Sequence, residues 1–293
     1  MFFGKTWARR FFIGLLIKIF LGVLALPAVG EEPPKGEAPG TALMIKPGEA
    51  PEVKEEPSPK LAATATVDFF SQYIFRGVAL SRGPVLQPAV AVTYRGLAAN
   101  VWGSFDPDER NPFLGRARGA RWNETDFTLS YTRKVIKGLS LTGGAIYYAI
   151  KGQDSLEVYG GLAYAFPWLT AGFNAYREVS HFPGWFLQVY LQRSFPLPYR
   201  GMSLELYASF GFEISHDPVA FPDPGRPGRA FQGPLVGHLM AAWNIPVTKV
   251  ITISPKIMYW YALGGGATRV LEVLSWDGRH NHLMGGVTIT AAF

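Results

Sequence analysis

The chain has 293 residues, of which 48% are hydrophobic, 14% aromatic and 17% charged, against about a quarter charged in ordinary soluble domains. With no cysteine it can carry neither a disulfide framework nor thiolate metal ligands. The formal charge of +6 divides into four cations in residues 1–30, −3 over residues 31–60 and +5 beyond, and none of it forms the basic stripe of a nucleic-acid binder.

Residues 1–30 read as a signal peptide. Lys5, Arg9 and Arg10 form a positive start, Phe11 to Leu26 an apolar core interrupted by Lys18, and Ala28-Val29-Gly30 a small-residue cleavage site before Glu31. Residues 31–60 are rich in Pro, Glu, Lys, Gly and Ala. Such a composition buries too little apolar surface to offset chain entropy, which predicts a disordered periplasmic linker.

From residue 61 to 293 the recurring pattern is period-two alternation, the mark of strands with one apolar and one polar face. Twelve segments carry it, at about 62–77, 85–95, 97–106, 123–134, 139–150, 156–165, 169–179, 185–195, 202–215, 234–246, 251–263 and 282–293. Most have ten or more residues, and a tilted spanning strand needs about 9–11. In the last, Leu283, Gly285, Val287, Ile289, Ala291 and Phe293 share one face. The terminal aromatic Phe293 resembles the signal read by the barrel-assembly machinery of outer membranes. Outward aromatics, expected near strand ends, are Phe69, Phe75, Phe105, Tyr131, Tyr147, Tyr164, Trp185, Trp243 and Phe293.

Connection lengths sort by parity. The connections after even segments are short, as at Arg95-Gly96 and Lys137-Gly138, whereas the longest, 107–122, 216–233 and 264–281, follow odd ones. That asymmetry belongs to bacterial outer-membrane barrels with external loops and periplasmic turns. The predicted fold is therefore all-β: a transmembrane antiparallel up-and-down barrel of about twelve strands. Gly264-Gly265-Gly266 reads as the flexible start of the last long loop.

Ser71-Gln72-Tyr73-Ile74-Phe75-Arg76-Gly77, then Gln87-Pro88, then Asn100 to Asp106, followed by Glu124 and Asp126, make this part of the chain resemble the TorF family of porins, also called the Gcw_chp family. The match covers about 60 residues near the barrel start. The resemblance implies an outer-membrane barrel more firmly than any one solute.

On the polar phase lie Asp68, Asp106, Glu124, Asp126, Glu157, Glu178, Glu205 and Glu213, with fewer cations, Arg76 and Lys256. Most of the acids fall toward the outer strand ends. Two readings follow. An acidic vestibule would favour cations or basic solutes. Alternatively the charges satisfy one another, with Arg76 bridging Asp68, Glu124 and Asp126, and Arg110, Arg116, Arg118 and Arg121 folding inward. Bulky candidates for the lumen are Tyr148, Tyr159, Tyr176, Phe186 and Tyr190.

The expected function is passive diffusion of small polar solutes or ions through a narrow, partly charged lumen, with lipids of the Gram-negative outer membrane and the assembly machinery as partners, and no cofactor. A plugged structural or adhesive barrel is the main rival. A lipid-modifying enzyme is less favoured, because none of His181, His216, His238, His280 and His282 stands in a His-x-Ser spacing.

Overall fold

A computed structural model describes residues 61–108, 119–150 and 154–293. Its strands are β1 (Ala62–Phe70), β2 (Ile74–Phe75), β3 (Val78–Ala79), β4 (Val85–Tyr94), β5 (Leu97–Asp106), β6 (Arg121–Ile136), β7 (Leu139–Ile150) and β8 (Ser155–Ala165). They continue as β9 (Thr170–Glu178), β10 (Gly184–Pro196), β11 (Ser203–Ser215), β12 (Gln232–Pro246), β13 (Ile251–Ala262) and β14 (His282–Ala292), with helix α1 (Gly265–Leu274) before the last strand. The expected signal peptide and linker lie outside the described residues.

Twelve of these strands, β1 and β4 to β14, form one closed antiparallel barrel in simple neighbour order. β1 seals it by pairing with β4 on one side and β14 on the other, in a register that sets Thr64 opposite Ala292 and Phe70 opposite Gly286. Beyond β14, the Phe293 N–H donates to the Ala63 carbonyl at 2.8 Å. Closure leaves no edge strand, so every strand backbone is paired without help from solvent.

The alternation read in the sequence is the alternation of the wall. Val90, Val101, Phe127, Leu129, Tyr131, Leu141, Val158, Leu162, Val189 and Phe210 face outward and are exposed, an apolar belt suited to lipid. The outward aromatics Phe69, Tyr131, Tyr147, Tyr164, Trp185 and Trp243 are exposed with them. At the barrel end where β1 starts and β14 finishes no connection exceeds six residues, and the four longest, 71–84, 107–120, 216–231 and 263–281, all lie at the other.

Bulges adjust the inner face. Between Gly211 and Phe212 the register on β12 skips Leu235, and both Leu235 and Val236 are buried. A bulge on β6 opposite Ser104 and Phe105 sets Asn123 and Glu124 side by side, both buried. An unpaired extra residue breaks strict alternation, which lets two consecutive side chains enter the interior.

Two connections differ from expectation. The first strand ends at Phe70 rather than near residue 77, because Arg76 and Gly77 both take positive φ, 49° and 88°. Two successive left-handed residues make a tight hairpin turn, and β2 and β3 pair across it with Phe75 opposite Val78. Phe75 consequently points inward, not outward, with its ring centroid 6.1 Å from that of Tyr148. The connection 264–281 is also not all loop. Ala267, Val270, Leu271 and Leu274, at the i, i+3, i+4, i+7 spacing of one helical face, are the buried residues of α1. Ser275, extended at φ −75° and ψ 136°, ends the helix.

The β2–β3 hairpin lies inside the barrel. Ile74 and Ala79 pack with the lumen-facing Tyr190, Tyr207, Met240, Met258 and Met284. Val78 packs with Tyr148, Tyr159, Tyr176, Phe186, Leu235 and Val236, and with the buried face of α1. Tyr73 reaches the opposite wall at Trp102, 5.6 Å between ring centroids. α1 covers the hairpin from the long-loop end. Burying one such apolar side chain contributes roughly 1.5–3 kcal/mol, so the two clusters anchor this stopper firmly.

Candidate functional site

The stopper and the charged wall meet at Arg76. Its position at the hairpin tip carries the guanidinium across the lumen to β8, where Nη1 and Nη2 donate to Glu157 Oε1 and Oε2 at 2.7 and 2.8 Å. A paired fork of this kind is among the stronger hydrogen-bonding geometries. Tyr148 donates its hydroxyl to Glu157 Oε2 at 2.8 Å. The guanidinium carbon also sits 4.3 Å from the Phe186 ring centroid, 5.0 Å from that of Tyr176 and 4.8 Å from that of Phe75. Aromatic faces attract a cation, most strongly where water is excluded. Glu213 is close enough to act on the same charge.

This replaces the bridge expected from Arg76 to Asp68, Glu124 and Asp126. Glu124 instead lies beside Tyr73 and Asp126. Asp126 Oδ1 is buried with no partner. Asp126 and Glu157 lie within electrostatic range of each other. The four carboxylates Glu124, Asp126, Glu157 and Glu213 thus surround the stopper tip, where Arg76 supplies the cation.

Elsewhere the acids do different work. Asp68 accepts from the Thr288 hydroxyl and faces the charge of Lys256, which also feels Glu205. Glu205 in turn accepts from Gln192 Nε2 at 3.0 Å. Asp106 Oδ1 accepts from the Asp108 N–H at 2.9 Å and holds the start of the connection after β5. Glu178 accepts from the backbone N–H groups of Ser180, His181 and Phe182 at 2.9, 3.0 and 2.6 Å, and from the Ser155 hydroxyl at 3.1 Å. It ties the connection after β9, where the sequence suggested lumen charge. Arg110, Arg116 and Arg118 lie outside the described residues.

A run of aromatic side chains lines the inner wall, as the sequence indicated for Tyr148, Tyr159, Tyr176, Phe186 and Tyr190. Tyr159, Tyr176 and Phe186 are in ring contact in that order. Tyr190 stacks on Tyr207, Tyr207 touches His238, and His238 lies flat on Trp260 with 3.7 Å between centroids and 2° between planes. The remaining histidines have other company. His181 Nδ1 lies 2.7 Å from the Asp154 carbonyl, His216 Nδ1 3.3 Å from Arg177, His280 Nδ1 2.8 Å from Glu272 and His282 Nδ1 3.6 Å from Asp277. Sequence reasoning missed the pairing of Arg76 with Glu157, the Tyr148 hydrogen bond that supports it, the Tyr73–Glu124 contact and α1. The signal for the hairpin was present, since Arg76-Gly77 repeats the dipeptide read as a turn at Arg95-Gly96, where φ is 50° and 85°.

In the connection between β11 and β12, Arg226 Nε donates to Asp223 Oδ2 at 2.7 Å and the Gly225 N–H to Oδ1 at 2.9 Å. The Arg226 hydrogen bond holds the Asp223 carboxyl below its ordinary range.

The architecture is a closed twelve-stranded antiparallel barrel of the outer-membrane type. No protein-family model matches the chain, and neither does any curated protein sequence. Among solved structures, the barrel is similar to the KdgM porin, with a TM-score of 0.50 at 8% identity over 78% of this chain and 99% of that one. The NanC porin is similar at a TM-score of 0.48 and 11% identity, covering 80% of this chain and 99% of the other. An outer-membrane channel from Pseudomonas putida F1 gives a TM-score of 0.46 at 8% identity, over 85% of this chain and 100% of that channel. At these identities the likeness is one of fold.

Proposed function

We propose that the protein is an outer-membrane channel for small polar solutes or ions, described here in its closed state. The observation that carries this reading is the nature of the obstruction. The lumen is filled at its long-loop end by two connections, 71–84 and 263–281, rather than by a collapse of the wall. Eight strands already make an interior that side chains can fill, and diameter grows with strand number. A twelve-stranded wall leaves space that these connections occupy, and a connection can withdraw where a wall cannot. The charged groups on the inner face, from Asp68 and Lys256 to Glu157 and Glu213, would then select among solutes by charge.

On this reading the chain sits in the lipids of the outer membrane of a Gram-negative bacterium. Residues 1–30 direct export, 31–60 form a periplasmic linker and Phe293 serves the assembly machinery. The resemblance to TorF porins fits the same assignment. No catalytic role is included. The second reading, a permanently plugged barrel that binds a partner through its loops, draws support from the two apolar clusters around the hairpin. Planar-bilayer recording separates the two. The full chain should conduct little or intermittently, and a variant with residues 74–79 replaced by a short Gly-Ser link should conduct continuously. A full chain that never opens, beside a variant that conducts continuously, would sink the channel and favour the plug.

A further inference from the structure

The Arg76 side chain occupies a pocket whose walls, apart from the Phe75 ring beside it on the hairpin, belong to the barrel. Glu157 offers both carboxylate oxygens, Tyr148 holds that carboxylate in place, and Tyr176 and Phe186 present ring faces. Glu213 adds a second negative charge. These five barrel groups come from β7 to β11, while the occupant arrives from a separate connection. A planar cation held edge-on by a fork and face-on by rings is recognised by shape as well as charge.

We infer that this cage is a binding site for solutes bearing a guanidinium group, and that Arg76 is a tethered stand-in for them. A solute that reaches the cage competes with Arg76 for Glu157. Because the hairpin tip is held by that contact, occupation of the cage by solute favours the withdrawn hairpin. Binding energy is thereby linked to opening, and the shift in population is set by the difference in solute affinity between the two states. A lysine-like ammonium fits less well, since it cannot engage both Glu157 oxygens through a planar fork.

The assignment deepens the channel reading and rests on it for passage, but the binding is measured apart from any current. Arg76→Ala removes the stand-in and leaves space for methylguanidinium, its own head group. In detergent micelles, methylguanidinium at millimolar concentration should raise the thermal unfolding midpoint of Arg76→Ala. Neutral methylurea, of nearly the same shape, should bind roughly ten- to a hundredfold more weakly, as the loss of charged hydrogen bonds implies. The double variant Arg76→Ala/Glu157→Gln should lose the preference. If Arg76→Ala does not fold unaided, its refolding yield with each compound gives the same comparison. Equal responses to the two compounds, or a preference that survives Glu157→Gln, would overturn the cage. Current through Arg76→Ala without any such preference leaves the channel standing and removes the cage. The preference, together with a full chain that never opens, leaves the cage standing and removes the channel.

Discussion

Ala79 and Ser275 are 196 residues apart in the chain, and the Ala79 N–H donates to the Ser275 hydroxyl at 3.2 Å. The next residue completes the exchange, with the Trp276 N–H donating to the Ala79 carbonyl at 3.0 Å. Ala79 is fully buried, so an unpaired backbone group there would cost about 1–3 kcal/mol. The connection that carries α1 satisfies both, and the hairpin and helix therefore behave as one body.

Gly77→Ala tests how tightly that body is seated. Gly77 has φ 88°, and a Cβ there would stand 2.7 Å from Val236 Cγ2. The left-handed conformation alone disfavours a side chain by about 1–2 kcal/mol, and the contact adds to it. Hydrogen exchange of residues 74–79 should accelerate while the barrel strands keep their protection. Unchanged exchange in the hairpin would show that the turn tolerates a methyl group.

The wall was legible in the sequence because its physics is local. A strand between lipid and lumen must alternate, so Val90, Val92 and Val101 announce the outer face wherever the chain places them. The stopper was less legible, because Tyr73, Ile74 and Phe75 continue the alternation of β1 while the chain has already left the wall. Only the positive φ at Arg76 and Gly77 breaks the pattern, and residue type signals that weakly for arginine. α1 is shorter than the strands around it, and its apolar face is matched to Val78 and Val236, partners invisible without the fold. The Arg76–Glu157 pairing joins a hairpin residue to one on β8, so the sequence supplied the right charge and the wrong partner.

The phase of the wall can be tested with one residue and its neighbour. Val90 faces outward at the middle of β4 and Ala91 faces inward. Val90→Lys should destabilise the barrel by roughly 2–4 kcal/mol, the cost of a midplane cation against lipid. Ala91→Lys should cost clearly less. Urea unfolding in lipid vesicles measures both, and equal penalties would place the outer face elsewhere.

Glu178 separates structural acids from those that face solute. With three backbone N–H groups and the Ser155 hydroxyl directed at it, Glu178→Ala leaves several donors unpaired, at about 1–3 kcal/mol for a buried one. Proteolysis between residues 179 and 183 should rise. Ion selectivity of an opened channel should not change, and a changed reversal potential would return Glu178 to the solute path.

The connection carrying Asp223 should respond to acid. Its carboxyl is held below the ordinary range by the Arg226 hydrogen bond. A depressed folded value means that the stabilisation is complete above the unfolded value, near about 3.9, and fades as pH falls through the folded one. Pepsin cleavage near Phe221 should therefore be slow at about pH 4 and rise below it. Asp223→Asn should be cut readily across the same range, and identical profiles for the two proteins would exclude the carboxylate as the tie.

The hydrogen bond from Phe293 to Ala63 also orders events in time. The seam pairs β1 with β14, so the cylinder cannot seal until β14 has been delivered. The hairpin emerges near the beginning and its covering helix just before the closing strand. An incomplete barrel therefore already holds the tip of its stopper but lacks the cover, and the two come together only as the seam shuts. Synthesis in this order gives a half-built wall no finished plug to trap on the wrong side.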